Sequence, residues 1–116
     1  MGQFYVSARL TGPSGQSESV PMLVDTGSIF AVLPRPLAER LGVEVRQSVP
    51  VITAGRREES WPVGDVWLRI DEREVPTPCF IAPAGPILLG AVALESLLLL
   101  VDPVARRLVP SKGLVV

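Results

Sequence analysis

The sequence predicts an all-β fold with one or two short helices. Two stretches alternate apolar and polar residues: Phe4, Val6, Ala8 and Leu10 against Tyr5, Ser7 and Arg9, then Val66, Leu68 and Ile70 against Trp67 and Arg69. Such a period of two is the mark of a half-buried strand. Twelve prolines in 116 residues argue against a helical fold, because each removes a helix donor. The length fits one domain over residues 1–116 with a modest core, and 47% apolar residues is too many for a disordered chain.

The first strand covers Phe4–Leu10. Thr11–Ser19, rich in Gly, Ser and Pro, is a loop or wide hairpin turn, and Val20–Val24 returns as the strand that ends at Asp25. The apolar run Ile29–Leu33 leads into a short helix over Pro36–Leu41, closed by Gly42. Val43, Val45 and Val49–Thr53 read as further strands, with a charged hairpin, Thr53–Glu59, before the alternating Trp61–Ile70. Asp71-Glu72-Arg73-Glu74 is a solvated hairpin tip. Val75–Ala82 is extended, and Pro76 and Pro78 suggest an edge position. Ile87–Gly90 is an apolar strand entering a glycine turn, followed by a helix-like run, Ala91–Leu100. Leu99–Val101, Leu108–Val109 and Leu114–Val116 are short terminal strands.

Several function classes fall away. A net charge of −1 leaves no electrostatic footprint for nucleic acid or a membrane surface. The absence of histidine removes Ser-His-Asp and Cys-His catalysis and the usual zinc sites, so no metal or other cofactor is expected. The single Cys79, within Cys79-Phe80-Ile81, reads as a buried, inert thiol. Ile87–Val101 is interrupted by Gly90 and Glu95 and is too short to span a bilayer. The N-terminus alternates instead of presenting an apolar signal segment, and Val6 breaks the myristoylation pattern, so a cytoplasmic location is expected.

Residues 23–28, Leu-Val-Asp-Thr-Gly-Ser, narrow the function most. An apolar strand delivers Asp25 to a buried position, and Gly27 lets the chain turn with nothing bulky above the acid. Thr26 and Ser28 are hydroxyl residues able to satisfy polar atoms around it. A buried carboxylate is costly without partners or a task. Two readings are open on these residues alone: a functional acid, or an Asp that caps a turn or a helix.

The Asp-Thr-Gly-Ser segment, together with the later Ile87-Leu88-Leu89-Gly90, resembles the retropepsin-like aspartic proteases, single-lobed relatives of pepsin. The resemblance runs from Phe4 to the apolar C-terminus. It implies a closed, barrel-like single lobe in which Asp25 is catalytic and Thr26, Gly27 and Ser28 support it. Leu88, Leu89 and Gly90 are then the active-site floor, and Ala54 and Gly55 belong to a flap that covers a peptide or protein substrate. Only Asp25 among the four Asp residues lies in an Asp-Thr-Gly context; Asp65 and Asp71 read as polar turn residues, and Asp102 before Pro103 as another. The second carboxylate must therefore come from a twofold-related copy, which makes the expected protein a homodimer. Ser28 would donate to the Asp25 carboxylate and favour its charged form. Where retroviral members carry an acid and an arginine supporting the dimer, this chain has Ile29 and Ala91, and it is more similar to cellular and bacterial members. Ile29, Phe30, Pro86 and Leu88 suit either side-chain pockets or the core.

Two functions follow as expectations. One is a homodimeric aspartic endopeptidase. The other is a catalytically silent dimeric module of the same fold, binding peptides or serving dimerisation.

Overall fold

A computed structural model describes residues 3–113 and 115. Its elements run β1 (Tyr5–Thr11), β2 (Ser17–Val24), β3 (Ala31–Pro34), α1 (Arg35–Leu41), β4 (Gln47–Ile52), β5 (Glu58–Ile70), β6 (Arg73–Ala82), β7 (Leu88–Leu89), α2 (Ala91–Leu97), β8 (Leu99–Asp102) and β9 (Arg107–Pro110). Seven strands form one sheet in the order β1-β2-β7-β3-β6-β5-β4, and three residue pairs between β1 and β5 (Arg9–Arg69, Leu10–Leu68, Thr11–Trp67) bring the sheet round on itself. β4 stays outside this ring, paired only with β5, as one side of a projecting arm. β8 and β9 form a separate two-stranded sheet. The mainly β class is as the alternation predicts.

The sheet separates two apolar layers, and that separation places the site. Ala31 and Leu33 of β3, Cys79 and Ile81 of β6, and Leu89 of β7 face the main core, with Leu10, Met22 and Leu68. Their neighbours in sequence, Val32, Phe80 and Ala82, face the opposite way into a smaller cluster with Val63, and Leu88 packs against it. Successive residues of a strand point to opposite faces, so strands buried on both sides read as unbroken apolar runs. Val32 sits between Phe80 and Leu88 in register, and Phe80 is opposite Val63. That row is a second apolar floor, on the far side of the sheet from the main core.

Several local expectations need correction. Val43 and Val45 lie in irregular chain after Gly42 (φ 69°), which ends α1, and β4 begins only at Gln47. α2 stops at Leu97, because Leu98 turns left-handed (φ 56°) and the chain re-enters a strand. Asp65 is not in a turn; it lies within β5 and pairs with Arg46 (2.8 Å). β6 is interior to the sheet, between β3 and β5. Its prolines fit because β3 pairs only with Cys79–Ala82, so β6 has β5 alone beside it at Pro76 and Pro78. Missing N–H donors cost nothing on an unpaired side. The expected strand 114–116 falls on residues of which 114 and 116 lie outside those described, and Val115 is not in a strand. No helix among the described residues is long and apolar enough to cross a membrane.

Candidate active site

The site is built where two glycine turns meet. β2 runs beside β7 in parallel, Leu23 with Leu88 and Val24 with Leu89. The Asp25 N–H continues that ladder by donating to the Leu89 carbonyl (3.0 Å). The loop then bends beneath the start of α2. Ala91 N–H donates to Ser28 O (2.8 Å) and Val92 N–H to Ile29 O (2.9 Å), so the first turn of α2 holds the Asp25 loop with donors that have no partner within the helix. Gly90 makes the approach possible. A Cβ there would stand 2.3 Å from the Phe30 carbonyl oxygen and 2.6 Å from that of Ser28.

At its other end α2 is held by Arg73, whose guanidinium donates to the carbonyls of Leu97 (2.8 Å) and Leu98 (3.1 Å). The sequence placed Arg73 in a solvated tip. The β5–β6 turn does lie at Asp71 and Glu72, but Arg73 reaches the exposed carbonyls that end a helix, a role that needs α2 in view.

Asp25 is half-buried, with Thr26 and Gly27 exposed beside it. Its Oδ1 accepts the Gly27 N–H (3.0 Å). Gly27 keeps space beside the acid: its φ is not left-handed, and a Cβ would come within 3.1 Å of Oδ1, so the carboxylate would have to give by a few tenths of an ångström. Ser28 departs from expectation. Its hydroxyl donates to the Phe30 carbonyl (2.7 Å) and not to Asp25, so its single proton fastens the loop to itself. Ser28→Ala is therefore expected to leave the pH profile of any Asp25-dependent activity superimposed on that of wild type, while costing about 1 kcal/mol from the lost bond. Parallel pH-rate and thermal-melting measurements check both halves; an upward shift of the optimum would restore the bond to Asp25.

Asp25 opens into a cleft of about 560 Å³. Leu88, Val32 and Phe80 form its floor, the Asp25 loop contributes Gly27, Ser28 and Ile29, and the arm contributes Pro50–Ala54 and Trp61. Ala82, Ala84 and Pro86 complete the rim. Asp25 is the single charged residue among those lining it. Of the expected pocket residues, Ile29, Pro86 and Leu88 line the cleft, whereas Phe30 packs beside Phe80 (ring centroids 5.0 Å apart). Leu89 is fully buried beneath the floor in the main core, and Gly90 is buried under the loop.

The expected flap is the β4–β5 arm. Thr53 N–H donates to Arg57 O (2.9 Å) and Arg56 N–H to Thr53 O (2.8 Å), closing its tip. Ala54 faces the cleft; Gly55 does not line it. The left-handed turn residue is Arg56 (φ 63°), not Gly55. Glu59, at the end of the charged hairpin, is half-buried and accepts the Trp61 indole N–H (2.9 Å). The sequence places Trp61 at the start of an alternating strand but assigns it no face, because β5 changes its buried face between Val63 and Val66, which breaks the parity set by Val66, Leu68 and Ile70.

Among the described residues, no titratable side chain other than Asp25 lines the cleft. Asp102 accepts the N–H groups of Val104 and Ala105 (both 3.1 Å), the turn role expected of it. Cys79 is fully buried in the main core, and burial pushes its thiol up to about 12, which suits an inert side chain.

A single-lobed acid-protease fold with one Asp-Thr-Gly loop is the class this arrangement defines. The chain belongs to the aspartyl protease family, whose model matches residues 6–93. Among solved structures it is similar to the EIAV protease complexed with the inhibitor HBY-793, at 18% identity over 83% of this chain and 88% of that one, with a TM-score of 0.67. It is also similar to the simian foamy virus (mac) protease, at 18% identity over 78% and 91% of the two chains, TM-score 0.58. The prototype foamy virus protease-reverse transcriptase matches 79% of this chain with 11% of its own, at 16% identity and TM-score 0.59. No curated protein matches the chain in sequence.

Proposed function

We propose that residues 1–116 form one aspartic endopeptidase domain that works as a homodimer, each copy supplying one Asp25. The observation that carries this is the solitary carboxylate in a cleft whose other described lining residues are uncharged. The chemistry needs two acids, and Asp65, Asp71 and Asp102 are committed to an ion pair or to turns elsewhere. A twofold axis beside the exposed Thr26-Gly27 edge supplies the second. Thr26 then has the reciprocal task of bonding across the axis to the partner's loop.

Two adjacent carboxylates share one proton, the general behaviour of such dyads. The ionised acid takes a proton from a water placed between them, and that water's oxygen attacks the peptide carbonyl carbon. The protonated acid gives its proton to the carbonyl oxygen. Collapse of the tetrahedral species passes a proton to the leaving nitrogen and breaks the C–N bond. The β4–β5 arm lines one side of the cleft, and its closing over a substrate would exclude water and strengthen the electrostatics beneath.

A peptide-library cleavage assay across pH tests this reading, with hydrolysis expected in a bell-shaped acidic window that needs one proton on the dyad. Specific activity should fall as the protein is diluted, because each site needs two chains. Sedimentation is the companion measurement, and an active monomer would refute the shared dyad. Peptide binding without any cleavage would favour the silent dimeric module.

A further inference from the structure

Trp61 stands out in the cleft because two neighbours fix its orientation. Its indole N–H is engaged by Glu59 Oε1 (2.9 Å), and the other carboxylate oxygen of Glu59 takes Arg57 (3.3 Å). Its ring meets Phe80 edge-on, with centroids 6.1 Å apart and planes at 74°, a favoured aromatic geometry. Phe80 is in turn backed by Phe30 at 5.0 Å and by the buried Val32, Val63 and Ala82. The indole is thus pinned from the arm side by a hydrogen bond and from the floor side by a packed ring. With its one polar atom turned to Glu59, it meets the cleft as an apolar wall between the arm and the floor.

We propose that Trp61 determines which substrate side chain the cleft accepts beside Asp25, admitting aliphatic residues of the Val–Leu size and excluding aromatic ones. This rests on the peptide-cleaving reading above and specifies it. The floor is bounded by Val32, Phe80 and Leu88, side chains that already pack in a cluster and cannot withdraw without opening a void. The volume left for a ligand side chain is set by the wall, and the largest group in that wall is the indole. In this scheme an aromatic side chain competes for that space with a ring held by both Glu59 and Phe80. A charged side chain finds no counter-charge, since Asp25 is the only charged lining residue and is engaged in the chemistry. Glu59 is a positioning residue in this scheme. It does not line the cleft; it holds the indole in one rotamer.

The test uses one peptide backbone whose residue at the scissile bond is varied through Val, Leu, Phe and Tyr, with an aliphatic residue on the other side. Wild type, Trp61→Phe, Trp61→Val and Glu59→Ala are compared for kcat/KM on the series. The same four peptides are measured for binding to each protein carrying Asp25→Asn in addition. Wild type should favour Val and Leu, and Trp61→Val should raise the Phe-to-Val ratio by about tenfold or more, the scale of small volume changes in an apolar pocket. Trp61→Phe should move the ratio in the same direction by less. Glu59→Ala, which keeps the ring and removes its tether, should shift it partway without changing the order of the aliphatic peptides. The same ordering is expected in binding, with the change appearing in KM more than in kcat for the peptides wild type accepts. Unchanged Phe-to-Val ratios in both folded Trp61 variants would overturn the proposal while leaving the protease reading intact. Binding that tracks Trp61 in protein that never cleaves would uphold the pocket and overturn the protease reading. Failure of every peptide to bind or be cleaved would overturn both.

Discussion

Asp25→Asn is expected to abolish peptide hydrolysis while leaving the fold in place. The amide matches the carboxylate in size and cannot take the proton from water, and in a homodimer the change removes both members of the dyad at once. Loss of positioned acid–base chemistry is worth about 10²–10⁴-fold, and no other described lining residue can substitute, because Asp25 is the one titratable group among them. The fold should survive because the intramolecular demand on the side chain is small. Oδ1 accepts one N–H, that of Gly27 at 3.0 Å, and an amide oxygen still accepts it, in a weaker bond for want of the charge. Burial adds little strain, since the group is half-buried and the substitution removes a charge. Turnover on a cleaved library peptide, beside thermal unfolding of the same preparation, separates the two effects. Wild-type turnover by a pure Asp25→Asn protein would remove the chemistry from this site.

Where a residue's environment is local, the sequence is readable. Phe4–Leu10 and Val66–Ile70 show their buried faces because one side of each strand meets solvent; Tyr5 is 62% exposed and Trp67 47%, while Leu10 and Leu68 are fully buried. The Asp25 loop and the Leu88–Gly90 turn were both recognisable, and they do meet. Long-range partners were not legible. Ala31–Leu33 and Cys79–Ala82 are apolar without alternation, and periodicity alone cannot say that the two runs serve different layers, one of them the cleft floor. Ser28 illustrates the same limit. A hydroxyl two residues from Phe30 and three from Asp25 has several acceptors in reach, and the loop's path decides among them. Pro76 and Pro78 correctly reported an absent hydrogen-bond partner, yet the cause was the shortness of β3, not the position of β6 in the sheet. Leu98 would extend a helical pattern by composition, but its left-handed turn is set by β8 and by Arg73 at the end of α2.

Gly90→Ala is expected to cost more stability than any other single-methyl addition at the site, and to take activity with it. Gly90 itself has ordinary extended dihedrals (φ −95°, ψ −178°), so alanine meets no backbone penalty there. The obstacle is space. The added Cβ would lie 2.3 Å from Phe30 O, 2.6 Å from Phe30 C and 2.6 Å from Ser28 O, and all three are backbone atoms that no rotamer change can move. Relief requires the Ser28–Phe30 segment to back away from α2. That movement stretches the bonds from Ala91 N–H to Ser28 O and from Val92 N–H to Ile29 O, now 2.8 and 2.9 Å, and shifts the loop that presents Asp25. Overpacking with loss of buried hydrogen bonds reaches about 3 kcal/mol or more, enough to lower Tm by roughly 10 °C in a chain of this size. A displacement of about 1 Å at the reacting groups can cost another 100-fold in rate. Gly55→Ala is the control: its dihedrals are not left-handed, and its Cβ would meet only the Thr53 hydroxyl at 3.8 Å, an ordinary contact. Thermal melts of the two variants should differ by most of the Gly90 effect, with Gly55→Ala within about 0.5 kcal/mol of wild type. Equal melting temperatures would mean that the Asp25 loop and α2 do not approach as closely as their hydrogen bonds require.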